Sequence, residues 1–338
     1  MTRQEPGAAG SQVPPVADVT VPSIPPAPSH AMGSSHAQLR SRASVTRQAD
    51  AGSVEQADRP KFGTIEVNGL DVFYREAGAA DKPTFLLLHG FPTSSHLFRN
   101  LIPLLERDFH LLAPDFIGFG RSAAPKHTDF AYTFEHLTDY VDGFLTAMGV
   151  ESFYLYVFDY GAPIGFNLCL RHPERILGIV SQNGNVYQEG LGKKWEARAE
   201  YWRNPTPELR EQYKSAFAPE TIKGQYEGGE AEGSVPPDGY TLDIFYTQSP
   251  DYAERQSDLI FDYQNNVANY PRYQEYLRTY QPELIAAWGK NDPSFIYPGA
   301  EAFRRDDPNA EVHLLDGGHF VLETHWREIA SLILQRWG

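Results

Sequence analysis

The 338-residue chain has one cysteine, Cys169. An intrachain disulfide is therefore impossible, a thiolate zinc site is argued against, and folding has to rest on a hydrophobic core. Long apolar runs are missing too. The longest are strand-sized, well short of the ~20 residues that cross a bilayer as a helix. Aromatic residues are absent from the first 60 positions, which hold eight prolines and no Phe, Trp or Tyr. A segment with so little to bury cannot offset its ordering entropy, so residues 1–60 read as a disordered extension. No apolar stretch of the roughly 7–15 residues typical of a secretory signal is found there. A cytoplasmic location is the default expectation, and the Arg and Ser content of the extension leaves organelle targeting as the alternative. Positive charge is scarce: 29 Lys and Arg stand against 44 Asp and Glu, a net −15. The extension carries five of each sign, so the whole surplus belongs to the body from Lys61 onward. That acidity argues against nucleic acid or an anionic membrane as partner.

The body alternates short apolar runs with amphipathic stretches of helix length, the pattern of a mostly parallel sheet covered by helices on both faces. "GTIEVNGLDVFYREAG" reads as a strand pair turning at Asn68-Gly69. "TFLLL", "HLLAP", "SFYLYVF", "ILGIVSQNGN", "ELIAAWG" and "AEVHLL" read as further strands, and a single helix is expected through "HLFRNLIPLLERD". Thr133 is placed to cap the helix that follows it. Between strands 6 and 7, over residues 186–282, strand signals fade and helical stretches take over. Twelve of the 19 tyrosines fall here. This stretch reads as a helical insertion within one sheet domain made of residues 61–185 and 283–338.

Four motifs carry chemistry. In "VFDYGAPIG" a strand ends at Asp159, and Gly161 two residues on leaves room for a helix to pack close behind a sharp turn. A carboxylate just before a helix is also an ordinary N-cap, so this motif alone leaves both roles open. In "LLHGFPTSS" the residues His89-Gly90-Phe91-Pro92 follow a buried strand, and "WGKNDPSF" and "LLDGGHFVLE" put Asp292 and His319 just past two later strands. Nucleophile, acid and histidine then occur in the order of a strand-borne hydrolytic triad. His313, Asp316 and His319 have a spacing that suggests a metal site, but strand alternation does not converge them, so no metal is expected.

From about Phe62 to Gly338 these motifs resemble the α/β-hydrolases of the branch that holds epoxide hydrolases and haloalkane dehalogenases, both of which use an aspartate nucleophile. The resemblance implies an α/β-hydrolase fold with a helical cap inserted between strands 6 and 7, and chemistry that needs no cofactor. It implies Asp159 as nucleophile, Asp292 and His319 as orienting acid and base, and the backbone N–H groups of Phe91 and Tyr160 as an oxyanion hole. His89, Pro92 and Phe158 are expected beside the substrate, a small apolar epoxide or haloalkane that reacts with water. Dehalogenases of this branch usually place Trp where this chain has Tyr160, and many an Asn where it has Phe91. Epoxide hydrolases usually have Trp there as well, so Tyr160 departs from both groups. Phe91, which offers a halide no side-chain N–H, is the departure that favours epoxide hydrolysis to a vicinal diol, with dehalogenation as the alternative. A non-catalytic small-molecule receptor is the reading of another class, disfavoured by the complete triad. Epoxide hydrolases protonate the opening oxide with cap tyrosines, and Tyr263 and Tyr201 are the candidates here.

Overall fold

Asn68 and Gly69 both take positive φ, 49° and 82°, as a two-residue hairpin turn requires. They fold β1 (Lys61–Val67) antiparallel onto β2 (Leu70–Ala77). The computed structural model describes residues 60–338; the disorder expected for 1–60 falls outside them, except at Pro60.

Six more strands complete one sheet: β3 (Thr84–Leu88), β4 (His110–Pro114), β5 (Phe153–Phe158), β6 (Ile176–Gln182), β7 (Leu284–Gly289) and β8 (Glu311–Leu315). The strand order is β1-β2-β4-β3-β5-β6-β7-β8. The β1–β2 and β2–β4 pairs are antiparallel and the others parallel. Side chains alternate across it. Leu86, Leu88, Leu155 and Val157 join one hydrophobic cluster, while Phe85, Leu87, Tyr156 and Phe158 join a second on the other face. Because both faces are covered, β3 and β5 are nearly unbroken apolar runs.

The helix expected through residues 96–108 is not continuous. A 3-10 turn over Ser95–Arg99 is followed by a four-residue helix, α1 (Ile102–Leu105). Pro103 is the reason: it has no N–H to donate back to the preceding turn, and it is tolerated here only because it falls in the first turn of α1. Elsewhere the local signals hold. α2 (Phe134–Ala147) starts at Thr133, whose Oγ1 accepts the His136 N–H at 3.1 Å. α3 (Gly161–Arg171) follows β5 directly, and β6 stops at Gln182, before the Asn-Gly turn that the sequence reading took into the strand.

Between β6 and β7 lie α4 (Lys194–Arg203), α5 (Pro207–Tyr213), α6 (Pro219–Glu227), α7 (Pro237–Thr247) and the long α8 (Tyr252–Tyr280). They divide between the two faces of the sheet. The second half of α8 packs on α3, where the Tyr273 hydroxyl donates to Asn167 Oδ1 at 2.8 Å and the Tyr273 ring lies 5.5 Å from Phe166. α6 packs on the opposite face, with Tyr226 stacked 3.6 Å from the ring of Phe320. α9 (Pro298–Asp306) and α10 (Leu322–Trp337) complete the chain. Arg99 links α10 to α7, donating to Glu323 at 2.9 and 2.7 Å and to Asp238 at 3.3 Å.

The approach of α3 to β3 is close enough to test. A Cβ on Gly161 would lie 2.4 Å from the Leu88 carbonyl oxygen, which is backbone and cannot swing aside. Gly161→Ala is expected to cost about 1–3 kcal/mol of stability in a denaturant melt; an unchanged midpoint would mean that helix and strand are not in this contact.

Candidate active site

Asp159 follows β5 directly with φ at +48°, a left-handed conformation that costs a non-glycine residue roughly 1–3 kcal/mol. The strain makes the turn sharp, so that α3 begins two residues later. The carboxylate is not a helix cap. Tyr160 holds the N-cap position of α3 without a side-chain bond, and the Asp159 backbone carbonyl accepts the Ala162 N–H at 3.0 Å. The side chain turns instead to the loop after β3, where the Phe91 N–H donates to Oδ1 at 2.6 Å. Gly90 permits that approach, since a Cβ there would lie 2.4 Å from Asp159 Cβ. The Tyr160 N–H makes no such bond among the described residues.

Asp292 lies in the turn after β7 and His319 in the loop after β8. His319 Nδ1–H donates to Asp292 Oδ2 at 2.6 Å, which leaves Nε2 facing Asp159 Oδ2 at 3.6 Å. Two further donors hold Asp292: the Ser294 N–H on Oδ1 at 2.7 Å and the Asn183 amide on Oδ2 at 2.8 Å. Asn183 also accepts the Gly289 N–H at 2.9 Å and so ties the ends of β6 and β7 together. The sequence reading missed it. Its signals were the Asn-Gly dipeptide at a strand end and, in the structure, a positive φ of 46°. Glu230, from the loop between α6 and α7, accepts the Gly318 N–H at 2.7 Å and the Thr324 hydroxyl at 2.8 Å, anchoring the loop that carries His319.

Burial taken alone would lower the pKa of His319. The Asp292 and Asp159 carboxylates outweigh it and hold the imidazole up at about 9. At neutral pH His319 is therefore a cation between two carboxylate side chains.

A tight cavity of about 30 Å³ opens above Asp159, room for about two waters. It is lined by Phe91, Asp159, Tyr160 and His319 from the sheet loops, and by Trp195, Arg198, Gln225, Ile260 and Phe295 among others. Of the residues expected beside the substrate, His89, Pro92 and Phe158 do not reach this lining. His89 is fully buried; its Nε2 accepts the Phe116 N–H at 3.0 Å and its Nδ1–H donates to the Gly90 carbonyl at 3.0 Å. Burial lowers its pKa to about 4, so it stays neutral and braces the Phe91 loop from behind. Phe158 alternates onto the other face of the sheet, 5.1 Å from Phe320, and Pro92 is buried beside Phe91.

The two candidate tyrosines part company. Tyr263 is buried with its ring 4.5 Å from Trp195 and 5.9 Å from Tyr160, both of which line the cavity. Burial, and then the Tyr270 hydroxyl beside it, keep its phenol well above the ordinary range and hence protonated. Tyr201 faces away, its ring packed on Tyr213 and Phe261 at 5.1 and 5.5 Å. Its place in the helical pattern gave no sign of which face it would take. His313 and Asp316 are not gathered with His319: His313 pairs with Glu311 at 3.4 Å and Asp316 with Lys290 at 3.1 Å.

Residues 83–325 match the family described as alpha/beta hydrolase fold. An uncharacterised hydrolase of Saccharomyces cerevisiae is 45% identical over 280 residues, covering 81% of this chain and 96% of its own. A haloalkane dehalogenase of Bradyrhizobium diazoefficiens is 45% identical over 114 residues, 34% of this chain and 36% of its own length. Among solved structures, a haloalkane dehalogenase from Bradyrhizobium elkani superposes with a TM-score of 0.67 at 24% identity, covering 82% of this chain and 98% of that one. That likeness is one of fold.

The charge balance around His319 makes a directional prediction. Removing the Asp159 charge in Asp159→Asn takes away one of the groups that hold the imidazole up. The His319 pKa, followed by ring-nitrogen NMR, is expected to fall from about 9 toward the ordinary ~6.5. A pKa unmoved by this substitution would show that Asp159 does not act on the imidazole.

Proposed function

The chain belongs to the alpha/beta hydrolase fold family and is a hydrolase of that fold; from this premise we propose that it hydrolyses small molecules by attack of Asp159 on an sp³ carbon. The observation that carries the reading is the division of labour on one carboxylate. Oδ1 sits on the Phe91 N–H, while Oδ2 remains on the cavity side, facing His319.

A carboxylate at this position suits displacement at carbon better than acyl transfer, since attack on an ester would leave a reactive anhydride. In the first step Oδ2 forms a bond to the substrate carbon, and the bond from that carbon to its leaving oxygen or halogen breaks, leaving an alkyl ester of the enzyme. Esterification removes the Asp159 charge, so His319 loses part of what holds its proton, gives the Nε2 proton up to water and becomes a neutral base. It then takes a proton from a water that attacks Cγ of Asp159, with Asp292 holding the ring in orientation. The oxyanion that develops on Oδ1 is already paired with the Phe91 N–H; removing one such donor typically costs about 10²–10³-fold in rate. Collapse breaks the bond between Cγ and the ester oxygen, frees the alcohol and restores Asp159. No cofactor enters these steps.

The leaving-group side of the cavity supports an oxide. Tyr160 lines it, and its hydroxyl makes no hydrogen bond among the described residues. Burial, with the Asp159 charge adding to it, pushes its pKa upward. It is thus a protonated O–H able to give its proton to an opening epoxide, and Tyr263 lies behind it. The product would be a vicinal diol. The second reading is halide release, and the Bradyrhizobium haloalkane dehalogenase that matches a third of the chain supports it.

Single turnovers in ¹⁸O-water with 1,2-epoxybutane and with 1-bromobutane separate the readings. The expected result is diol whose new oxygen is unlabelled in the first turnover, because it comes from Asp159. Labelled diol in that turnover would sink the nucleophile assignment, and bromide release without epoxide turnover would favour the second reading. In His319→Gln the alkyl-enzyme should accumulate and be visible by mass spectrometry.

A further inference from the structure

The cavity holds a cation that the steps above do not use. Arg198, on α4, lines it together with Asp159, Tyr160 and Gln225 and is half-buried. Its guanidinium carbon lies 4.2 Å from the centroid of the Trp195 ring. Among the described residues it has no ion-pair partner and no hydrogen bond. Two other arginines of the same helical stretch are neutralised: Arg203 by Glu200 at 2.6 Å, and Arg210 by Glu254 and Asp258, both at 2.8 Å. In a chain with a net charge of −15, acidic partners are abundant, yet Arg198 faces the one cavity above the nucleophile without one. Stacking on Trp195 occupies the flat face of the guanidinium and leaves its N–H edge free, the edge that binds carboxylates in bidentate fashion.

The electrostatics of the cavity give this cation a purpose. Asp159, Asp292 and the His319 imidazolium together carry one negative charge, which repels an anionic substrate and does not affect a neutral one. Arg198 cancels that charge. A neutral epoxide or haloalkane has no use for the cancellation, whereas an acid needs both it and the N–H fork.

We propose that Arg198 binds a carboxylate carried by the substrate, so that the enzyme acts on small epoxy or halo acids in preference to their neutral counterparts. This rests on the reading of Asp159 as the group that attacks the substrate. The carboxylate docks on Arg198 away from the reacting carbon, takes no part in bond making, and sets which carbon faces Asp159 Oδ2. Arg198 is a specificity residue and contributes to binding.

The test compares pairs that differ by a terminal methyl or carboxylate: 1,2-epoxybutane with 3,4-epoxybutanoate, and 1-bromobutane with 4-bromobutanoate. Wild type is expected to show the higher kcat/KM on the acid of whichever pair it turns over. Arg198→Gln should raise KM for the acid by about 10- to 100-fold, the worth of a charge-assisted bond to carboxylate, with kcat and the neutral substrate changed less than about 2-fold. Arg198→Lys, which keeps the charge without the fork, should recover part of the loss. Preference for the neutral member, or an equal fall in kcat on both members, would overturn the proposal; the second result would place Arg198 at the leaving group or in the packing. Calorimetry with butanoate keeps this outcome separate from the fate of Asp159 as nucleophile. Butanoate should bind wild type and lose about 10- to 100-fold in affinity in Arg198→Gln, whether or not any substrate turns over. Equal binding to the two proteins, with matching thermal melts to show both folded, overturns the assignment.

Discussion

The hydrogen bond from the Phe91 N–H to Asp159 Oδ1, 2.6 Å long, joins two loops that are 68 residues apart in the chain, and the geometry of the site depends on it. Both loops leave the carboxyl ends of neighbouring parallel strands, β3 and β5, which pair from Thr84↔Phe153 to Leu88↔Val157. That end of a parallel sheet is where helix N-termini and loop amides converge, and open sheets place their sites there. Two close approaches permit the bond: the missing side chain of Gly90 against Asp159, and that of Gly161 against the β3 carbonyls. The left-handed Asp159 is the cost of the arrangement, and the packed strands on either side hold it in place.

Charge organises the rest of the site. His319 is buried, and burial opposes its charge; two carboxylates reverse that and make it a cation at rest. The same arrangement lets the covalent step change the base. In the reaction proposed above, alkylation of Asp159 would neutralise it and so release the imidazole from one of its anionic neighbours at the moment a base is needed. The helices between β6 and β7 take part structurally. Glu230 holds the backbone at Gly318, and Arg99 bridges α7 and α10. Trp195 and Arg198 of α4 line the same cavity as Asp159.

Much of the sheet was legible because short-range rules governed it. Asn68-Gly69 could only be a tight turn, Thr133 only needed an N–H three residues on, and the apolar runs of β3 and β5 had to be buried on both faces. The helix expected across residues 96–108 broke just ahead of Pro103, between Arg99 and Ile102, a local rule given too little weight. Asp159 could have been a cap or a nucleophile on sequence grounds, and the choice followed from motifs more than 60 residues away. What was not legible was which way particular side chains turn once the elements pack. His89 and Phe158 flank the right backbone, but one is held by its own ring hydrogen bonds and the other alternates to the far face. Tyr263 had a family-like setting in "FDYQNN" and Tyr201 had none, and of the two only Tyr263 approaches the cavity. Asn183 carried only an Asn-Gly signal that was read into the strand, and Arg198 lay in a stretch with no recognisable motif.

The sequence by itself determined the strand-and-helix alternation, the order of Asp159, Asp292 and His319, and the chemistry open to a carboxylate in that order. These follow from periodicity and from residue type, which are properties of neighbours along the chain. The tertiary structure decided which amide meets the carboxylate, which tyrosines reach the cavity, and that Arg198, unpaired among the described residues, faces it. Those outcomes depend on which faces of helices α4 to α8 come together over the sheet. That is a matter of packing between segments far apart in sequence, and no spacing along the chain encodes it.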